Sequence, residues 1–219
     1  MGFDPDHFAR KADLGEALQP TEAFRYAYET NFWGGRESPS GAGSSLHETS
    51  YLQSALPALL GRLGIGTMLD LPCGDGNWMA SVELPGIHYL GADLLPEVVA
   101  RARARRPDRD FAVLDLTTSP LPPADLILCR DCLVYLSLED IARAIANVRQ
   151  GGISYLLTTT FPEEPANLEI RTGDWRPLNL ERPPFGFPAP LEILREGCTE
   201  QNGLFADKSL GLWRVEDLP

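Results

Sequence analysis

The sequence contains no apolar run approaching the roughly 20 residues that a membrane-spanning helix needs. Its opening stretch, MGFDPDHFARK, also lacks the apolar segment of a secretory signal. A myristoylation signal carries Ser or Thr at the sixth position, where this chain has Asp6. These absences predict a cytoplasmic protein with no membrane partner.

Positive charge is also scarce, because 19 Lys and Arg stand against 31 Asp and Glu, for a net charge of −12. A field of that sign repels phosphate backbones, so we expect no nucleic-acid partner. The one basic run, RARARRPDR at 101–109, is interpreted as the solvated face of a helix.

Cysteines are few, at positions 73, 129, 132 and 198, which argues against a disulfide framework in 219 residues. Cys129 and Cys132 form a C-x-x-C pair. A structural zinc site needs four ligands, and neither remaining cysteine pairs at a suitable spacing. We predict no metal, with a redox-active pair as the alternative.

What the sequence does contain is a regular alternation of strand-like and helix-like segments. The predicted strands are 67–71, 87–93, 110–116, 124–129 and 153–160, with helices over 77–84, 95–106 and 137–150 between them and a closing hairpin of strands at 191–197 and 208–215. Such alternation predicts an α/β fold, a doubly wound parallel sheet covered by helices on both faces.

Two irregular segments interrupt this pattern. The Gly/Ser-rich segment 33–49 joins helical patterns at 4–32 and 46–63 and is interpreted as a linker or a functional lid. The proline-rich segment 161–190 contains Trp175, Phe185 and Phe187, aromatic residues that a disordered tail would lack.

We therefore expect one domain overall, with a helical and Gly/Ser-rich cap over 1–64 and a ligand-binding domain over 65–219. The second part would carry an insertion at 161–190 that contributes to the binding site of a second substrate.

The stretch MLDLPCGDGNW at 68–78 predicts a strand that ends in a tight glycine turn. Gly74 and Gly76 permit a sharp bend and the close approach of a ligand. The predicted helix that follows would offer free N–H groups to an anionic part of that ligand. An ordinary strand-to-helix turn is the alternative, since a lone G-x-G is weak evidence.

Three acids at strand ends support the ligand interpretation. Asp93 closes the second strand, 19 residues after Gly74, where an acid can accept hydrogen bonds from both ribose hydroxyls. Asp115 closes the third strand and can accept from an adenine amino group. Asp70 precedes the turn, where it would repel a pyrophosphate and attract a sulfonium. This set predicts S-adenosyl-L-methionine as the ligand.

These residues carry a resemblance to class I S-adenosylmethionine-dependent methyltransferases. LDLPCGDGNWM is similar to the L-D-x-G-C-G-x-G motif of that superfamily, with Pro72 in place of the first glycine. The motifs of the next strands have counterparts in YLGAD, AVLDL and ADLILCRDCLVYLS, so the resemblance covers about residues 65–160. The flanking segments WGGRESPSGAGSSLHET and TGDWRPLNLERPPFGFPAP resemble a little-characterised bacterial subgroup whose acceptor is unknown.

The resemblance implies a Rossmann-like seven-stranded sheet of order 3-2-1-4-5-7-6, with strand seven antiparallel, beneath an N-terminal helical cap. Asp70 and the glycine turn would hold the methionine end, Asp93 the ribose and Asp115 the adenine. The implied cofactor-binding residues are Asp70, Pro72, Cys73, Gly74, Asp75, Gly76, Asp93, Leu94, Asp115, Leu116 and Arg130.

The implied activity is methyl transfer, in which the protein aligns the nucleophile and excludes water. An oxygen acceptor must also lose its proton, which calls for a base. Asp131, Tyr135 and Asp174 are the candidates. Related enzymes often carry His at the position of Tyr135, and Arg130 and Asp131 are either methionine-end contacts or acceptor-site groups.

Segments 33–49 and 161–190 are predicted to form the acceptor pocket, with aromatic walls and polar anchors that suit a small polar ring. The candidate acceptor-binding residues are Trp33, Arg36, His47, Arg171, Trp175, Arg176, Asn179 and Phe185. A satellite core beneath a long loop is the alternative for the aromatic residues.

We therefore predict a methyltransferase acting on a hydroxyl of a sugar or a natural-product scaffold. An amine- or protein-directed methyltransferase, an NAD or nucleotide-sugar enzyme, and a non-catalytic cofactor sensor are the alternatives. The sequence leaves a homodimer open.

Overall fold

The computed structural model describes residues 4–219, so the first three residues of the predicted cap lie outside the described residues. The strands are β1 (Thr67–Asp70), β2 (His88–Asp93), β3 (Asp110–Val113), β4 (Ala124–Cys129), β5 (Ile153–Thr160), β6 (Glu192–Arg195) and β7 (Ser209–Arg214). The main helices are α1 (His7–Asp13), α2 (Pro20–Glu29), α3 (Leu52–Leu63), α4 (Pro96–Arg105) and α5 (Leu138–Gln150).

The seven strands form one sheet in the order β3-β2-β1-β4-β5-β7-β6. The pairs among β1 to β5 are parallel, and β7 runs antiparallel to both β5 and β6. The predicted fold, strand order and antiparallel seventh strand are confirmed. The order reverses between β1 and β4, which in open α/β sheets is where ligands bind, beyond the carboxyl ends of the strands.

The core lies on both faces of the sheet, and the central strand β4 contributes to each. Leu126 and Leu128 pack into the apolar cluster that contains α3, whereas Ile127 and Cys129 pack into the cluster that contains α5. All four are at most 1% exposed. Burial on both faces accounts for the continuously apolar residues 126–129 and fixes the position of the carboxyl end of β4.

Helix α5 begins where its sequence signals place it. The hydroxyl of Ser137 accepts a hydrogen bond from the backbone N–H of Asp140 at 3.1 Å, and the chain leaves the helix at Gly151. Its apolar face contributes Ile141 and Val148 to the core, so burial and capping favour the same helix.

The helix predicted over 77–84 is wrong, because only a single 3₁₀ turn forms at Met79–Ser81. Arg109 donates hydrogen bonds to the carbonyls of Met79 and Val82, and Arg106 donates to the carbonyl of Ala80 at 3.0 Å. These guanidinium groups replace the partners that a further helical turn would supply. The glycine turn is therefore not followed by an α-helix whose N-terminus could bind an anion.

The insertion 161–190 is irregular, as predicted, and side chains rather than regular elements hold it in place. Arg176 is buried and donates to the carbonyls of Leu133 at 3.0 Å, Leu136 at 2.8 Å and Leu168 at 3.1 Å. Burial lowers the pKa of this guanidinium to about 10. Arg176 therefore ties the insertion to the turn that follows β4.

Asn179 and Asp174 are likewise structural. The Asn179 amide donates to the carbonyls of Pro162 and Glu164, both at 3.0 Å, and so closes the insertion on itself. The Asp174 carboxylate accepts from the backbone N–H groups of Phe8 at 2.7 Å and Ala9 at 2.9 Å, in the first turn of α1. Acidic oxygen atoms at a helix N-terminus stabilise the helix.

Within residues 4–219, every helix falls short of the length and apolar character that crossing a bilayer requires.

We predict that Arg176→Met lowers the free energy of unfolding by about 2–4 kcal/mol, because the buried carbonyl groups of Leu133 and Leu136 lose their donor. Urea-induced unfolding followed by circular dichroism measures the change. Arg182→Met, on the exposed surface of the same insertion, is the matched control and should change stability by less than about 0.5 kcal/mol. Equal stability of the two variants would contradict the structural role of Arg176.

Candidate active site

The glycine turn after β1 is packed against two segments of the chain itself. Gly74 and Gly76 have φ of 56° and 71°, in the left-handed region that favours glycine. A Cβ at Gly74 would lie 2.9 Å from Oγ of Ser40, and a Cβ at Gly76 would lie 3.4 Å from Cα of Ala102 in α4. The cap therefore leaves no room for a side chain at Gly74, whereas at Gly76 the positive φ rather than the contact with α4 favours glycine.

Asp75, between the two glycines, binds the cap. Its carboxylate is 1% exposed, accepts a hydrogen bond from the hydroxyl of Ser38 at 2.7 Å and pairs with Arg105 at 3.2 Å. Its backbone N–H donates to Oγ of Ser40 at 3.0 Å. The contacts of Asp75 thus hold the Gly/Ser-rich segment 33–49 over the turn. Of the two interpretations of this segment, a linker or a lid, these contacts favour a cover over the turn.

Beneath this cover, a cavity opens at the carboxyl ends of β1, β2 and β4, with about 1050 Å³ of empty space that is partly open to solvent. Nine of the eleven predicted cofactor-binding residues line it, namely Asp70, Pro72, Cys73, Gly74, Asp93, Leu94, Asp115, Leu116 and Arg130. Asp75 and Gly76 are not among the lining residues and instead bind the cap and α4.

Asp93 and Asp70 are carboxylates buried in the wall of this cavity. Asp93 is 8% exposed and accepts from the backbone N–H groups of Gly74 at 3.2 Å and Leu95 at 3.1 Å. Asp70 is 3% exposed and accepts from the hydroxyl of Tyr89 at 2.7 Å. Burial raises the pKa of Asp93 to about 6 and that of Asp70 to about 7.

Asp115 lines the cavity beside Leu116, beyond the end of β3. Its carboxylate accepts from the backbone N–H and the hydroxyl of Thr117, both at 2.7 Å, and from the hydroxyl of Thr118 at 2.9 Å. These local contacts form a turn of the kind that aspartate favours and fix the carboxylate at the cavity wall. Leu116 is buried and offers an apolar surface there.

Arg130 and Asp131 follow β4 and reach the opposite end of the cavity. Asp131 has φ of 51°, which is uncommon for a residue other than glycine. Burial raises the pKa of its carboxyl group, but the charges of Arg130 and Lys208 outweigh that effect and lower it. Nζ of Lys208 lies 2.7 Å from Oδ2 of Asp131. Asp131 is therefore an ionised hydrogen-bond acceptor within the cavity.

Of the other two candidate bases, Tyr135 reaches the cavity and Asp174 does not. The Tyr135 ring lies 5.4 Å from the ring of Trp33, and both residues line the cavity. Burial, followed by the charge of Asp131, raises the pKa of the Tyr135 hydroxyl well above its ordinary value. That phenol keeps its proton and acts as a donor rather than as a base. Asp174 is corrected to a helix-capping residue of α1.

Among the predicted acceptor-binding residues, Trp33 lines the cavity, and its Nε1 is buried with no hydrogen-bond partner in the described chain. The structure gives the others different surroundings. Arg36 and His47 are exposed on the cap, and Arg171 is exposed and donates to the carbonyl of Leu18 at 3.3 Å. These three do not line the cavity.

The predicted residues of the insertion pack elsewhere, because the insertion lies behind the 133–136 turn and none of its residues lines the cavity. Trp175 packs edge-on against Phe161 and Phe205, and Phe185 packs against the main core. Their aromatic rings therefore belong to the core, which was the alternative interpretation. Arg176 and Asn179 are structural, as their backbone contacts require.

The sequence interpretation missed lining residues on the cap and a pair of charged residues far along the chain. Phe24 and Tyr28 reach the cavity from α2, and the signal for them was the apolar face of that helix. Glu196 and Lys208, next to Arg130, lie 66 and 77 residues from their partners Arg130 and Asp131 and had no local signal.

The cysteines form no disulfide among the described residues. Cys132 lines the cavity, while Cys129 is buried at the end of β4. Glu48, Cys198 and Glu200 each offer one potential metal ligand within 4.8 Å of the others, but Glu48 already accepts from Thr199. The absence of a metal stays a prediction.

Comparisons with known proteins agree with this geometry. Residues 69–151 match the family model described as a methyltransferase domain. Isonocardicin synthase of Nocardia uniformis subsp. tsuyamanensis is 29% identical over 171 residues, which is 69% of this chain and 57% of that protein. Malonyl-[acyl-carrier protein] O-methyltransferase of Serratia marcescens is 27% identical, over 62% of this chain and 55% of that protein.

The chain thus spans about half the length of the curated relatives it matches. A similar fold occurs in CalO1, a methyltransferase in calicheamicin biosynthesis solved in its SAH-bound form. The two share 20% identity at a TM-score of 0.54, over 78% of this chain and 53% of that one. The domain match over residues 69–151 and the strand order thus support the class I S-adenosylmethionine-dependent methyltransferase superfamily for this chain.

Proposed function

We propose that this chain transfers a methyl group from S-adenosylmethionine to a small-molecule acceptor, and that the acceptor is a hydroxyl compound such as a sugar or a natural-product scaffold. One observation carries the proposal. Asp70 and Asp93 are buried in the cavity wall, and no Lys, Arg or His within residues 4–219 forms an ion pair with either. A cationic, ribose-bearing ligand supplies what these carboxylates lack.

The cofactor of the superfamily fits the residues at each end of the cavity. We assign the ribose to Asp93 and Leu94, because a carboxylate held by two backbone N–H groups still has lone pairs for two hydroxyls. Adenine would lie against Leu116 beside Asp115, and the methionine end beside Asp70 and Gly74. The unpartnered Nε1 of Trp33 is a further donor for a bound ligand.

The acceptor would bind between the cap and the carboxyl end of β4. S-adenosylmethionine supplies a methyl carbon that its sulfonium has already activated, so the protein needs only to align the nucleophile and exclude water. Asp131, which is ionised, accepts the hydrogen bond of the acceptor hydroxyl and orients its lone pair. Tyr135, which stays protonated, and Trp33 provide donors around it.

The cap and the insertion take different parts in this function. We assign residues 1–64 to a cap that closes the cavity through the contacts of Ser38 and Ser40 with Asp75, and residues 65–219 to the domain that binds the cofactor. The insertion 161–190 supports the acceptor end indirectly, because Arg176 fixes the turn that carries Tyr135. The names of the relatives point to different acceptors, so none is carried over.

Asp93→Ala is predicted to weaken the binding of S-adenosylhomocysteine at least about tenfold, because the ribose hydroxyls lose a charge-assisted acceptor. Isothermal titration calorimetry measures the affinity. Asp110→Ala, an exposed carboxylate at the start of β3, is the matched control and should bind as the unaltered protein does. An unchanged affinity in Asp93→Ala would remove the assignment of the ribose.

Cofactor affinity should rise with pH between about 5.5 and 7.5. In the free protein, the raised pKa values of Asp70 and Asp93, about 7 and about 6, favour their protonated forms below those values. A bound sulfonium favours the ionised forms, so binding below pH 7 releases protons. For each group, affinity therefore falls by up to about tenfold for each unit by which the pH is lowered. Calorimetry with S-adenosylmethionine at four pH values tests this.

Asp70→Asn is the control for the pH dependence, because its amide cannot ionise and should flatten the part of the profile near pH 7. An affinity of the unaltered protein that is constant from pH 5.5 to 7.5 would contradict the electrostatic account of the site. Stability without ligand changes in the opposite direction: because the pKa of Asp70 is higher in the folded protein than in the unfolded chain, its contribution to the free energy of unfolding falls as pH rises from about 4 to about 7.

A further inference from the structure

A network of buried charges lies at the carboxyl end of β4, where the proposed function places the acceptor. Arg130 binds Glu196 through two nitrogens, at 3.2 and 2.6 Å, and lies 3.2 Å from Asp131. Lys208 lies 2.7 Å from Asp131 and 3.8 Å from both Glu196 and Glu200. The network thus joins the end of β4 to the β6–β7 hairpin.

Every positive charge in this network is already neutralised. Two cations, Arg130 and Lys208, face three carboxylates, those of Asp131, Glu196 and Glu200. Arg130 is the one Lys or Arg among the residues that line the cavity in the described part of the chain. Its guanidinium plane is occupied by Glu196 and Asp131 and also lies over the ring of Trp78, at 5.6 Å. Neither cation of the network is therefore available to pair with an acidic ligand.

Within this network, two of the carboxylates are more exposed than the cations. The side chains of the two cations are 4% and 6% exposed, and that of Glu196 is 1% exposed, whereas those of Asp131 and Glu200 are 25% and 33% exposed. A molecule that arrives from the cavity therefore meets the carboxylate of Asp131 first. The backbone of Asp131 holds it there in a left-handed conformation that the surrounding contacts must stabilise.

The cap closes over this end of the cavity and limits the access of water. A Cβ at Gly43 would lie 3.0 Å from Oδ2 of Asp131, 3.1 Å from Oε1 of Glu200 and 3.2 Å from Nζ of Lys208. The backbone of the cap is therefore in close contact with the network. In such an enclosed site, an acidic acceptor would find no matching cation. It would lose its hydration and would face the negative charge of Asp131.

We propose, building on the proposed function, that the acceptor is an alcohol or an amine that brings no carboxylate, phosphate or sulfate to the reacting end, and that its reacting O–H or N–H group donates to Asp131. The acceptor atom forms the new bond to the methyl carbon while the carbon–sulfur bond breaks and sulfur keeps the electron pair. The acceptor proton passes to Asp131 and then to solvent. Glu196 and Lys208 are positioning residues that keep Arg130 neutralised and Asp131 in place.

The first experiment uses three probes that share a phenol ring and differ in the head group: tyrosol, tyramine and 4-hydroxyphenylacetate. Each is titrated by calorimetry into protein saturated with S-adenosylhomocysteine. The acid should bind at least about tenfold more weakly than the better of the other two. In Glu196→Gln, which frees Arg130, the acid should gain about tenfold while tyrosol changes by less than about threefold.

Glu192→Gln is the matched control, because Glu192 begins strand β6, which Glu196 directly follows, but Glu192 pairs with Arg62 at the surface. It should reproduce the unaltered protein. Tighter binding of the acid than of tyrosol and tyramine by the unaltered protein would overturn the proposal. So would the absence of any difference among the three probes in both the unaltered protein and Glu196→Gln.

A second experiment uses the unaltered protein alone, so it stands even where Glu196→Gln does not fold. The protein is incubated with S-adenosylmethionine labelled in the methyl group and with a bacterial metabolite extract. The proposal expects a label that survives mild alkali, as methyl ethers and methylamines do, with an acceptor that passes through an anion exchanger. Release of labelled methanol by mild alkali indicates a methyl ester and would overturn it.

Failure of the proposed function looks different in this assay. A protein that binds S-adenosylmethionine but transfers no label to any fraction contradicts methyl transfer, and the binding order of the three probes still decides the charge of the ligand that the acceptor end admits.

Discussion

The organisation of this protein depends on two carboxylates that lie buried at the carboxyl edge of a parallel sheet and form no ion pair with any Lys, Arg or His of residues 4–219. Asp70 and Asp93 are held by a tyrosine hydroxyl and by backbone N–H groups, and none of these supplies a full positive charge. Burial raises the pKa of both groups, and at Asp70 it outweighs the opposing effects of the Tyr89 hydrogen bond and of the charges of Arg109 and Arg130. The fold therefore maintains two acids in an unfavourable state, which the sulfonium nucleoside of the proposed function would relieve.

The two ends of the cavity differ in whether their buried carboxylates form ion pairs within the protein. At the β1 and β2 end, Asp70 and Asp93 form no ion pair within residues 4–219 and their pKa values stay raised, which suits a ligand that carries a positive charge. At the β4 end, Arg130 and Lys208 compensate their neighbours within the protein, so Asp131 stays ionised. A positively charged methyl donor at the first end and an acceptor without negative charge at the second are the ligands that match this difference.

Much of the fold followed from the sequence because the information is local. The strands of the parallel part are short, mainly apolar runs, of which β1 and β2 end at Asp70 and Asp93, and the resemblance supplied the strand order. Asp93 and Asp115 were predictable because parallel strands bring their carboxyl ends to one edge. Asp75 was misleading for a physical reason: its neighbours are glycines, as in a ligand-binding turn, but the group that approaches is Ser40 of the cap.

The acceptor end was predicted less well because its contacts are long-range. Arg176, Asn179 and Asp174 are polar residues beside aromatic ones, a pattern typical of a binding pocket, yet their partners are buried backbone groups. Conversely, Glu196 and Lys208 stand among ordinary surface-like residues of a hairpin. Only the pairing of β7 with β5 carries Lys208 to Asp131.

The central claim is tested most directly by ¹³C NMR of the aspartate carboxyl groups, titrated with and without S-adenosylmethionine and assigned through Asp70→Asn and Asp93→Asn. We expect Asp70 and Asp93 to titrate near pH 7 and pH 6, respectively, in the free protein. With the sulfonium bound, both should titrate at lower pH, by about one unit or more. Two carboxylates that are already ionised at pH 5 in the free protein, or that titrate unchanged when the ligand binds, would contradict it.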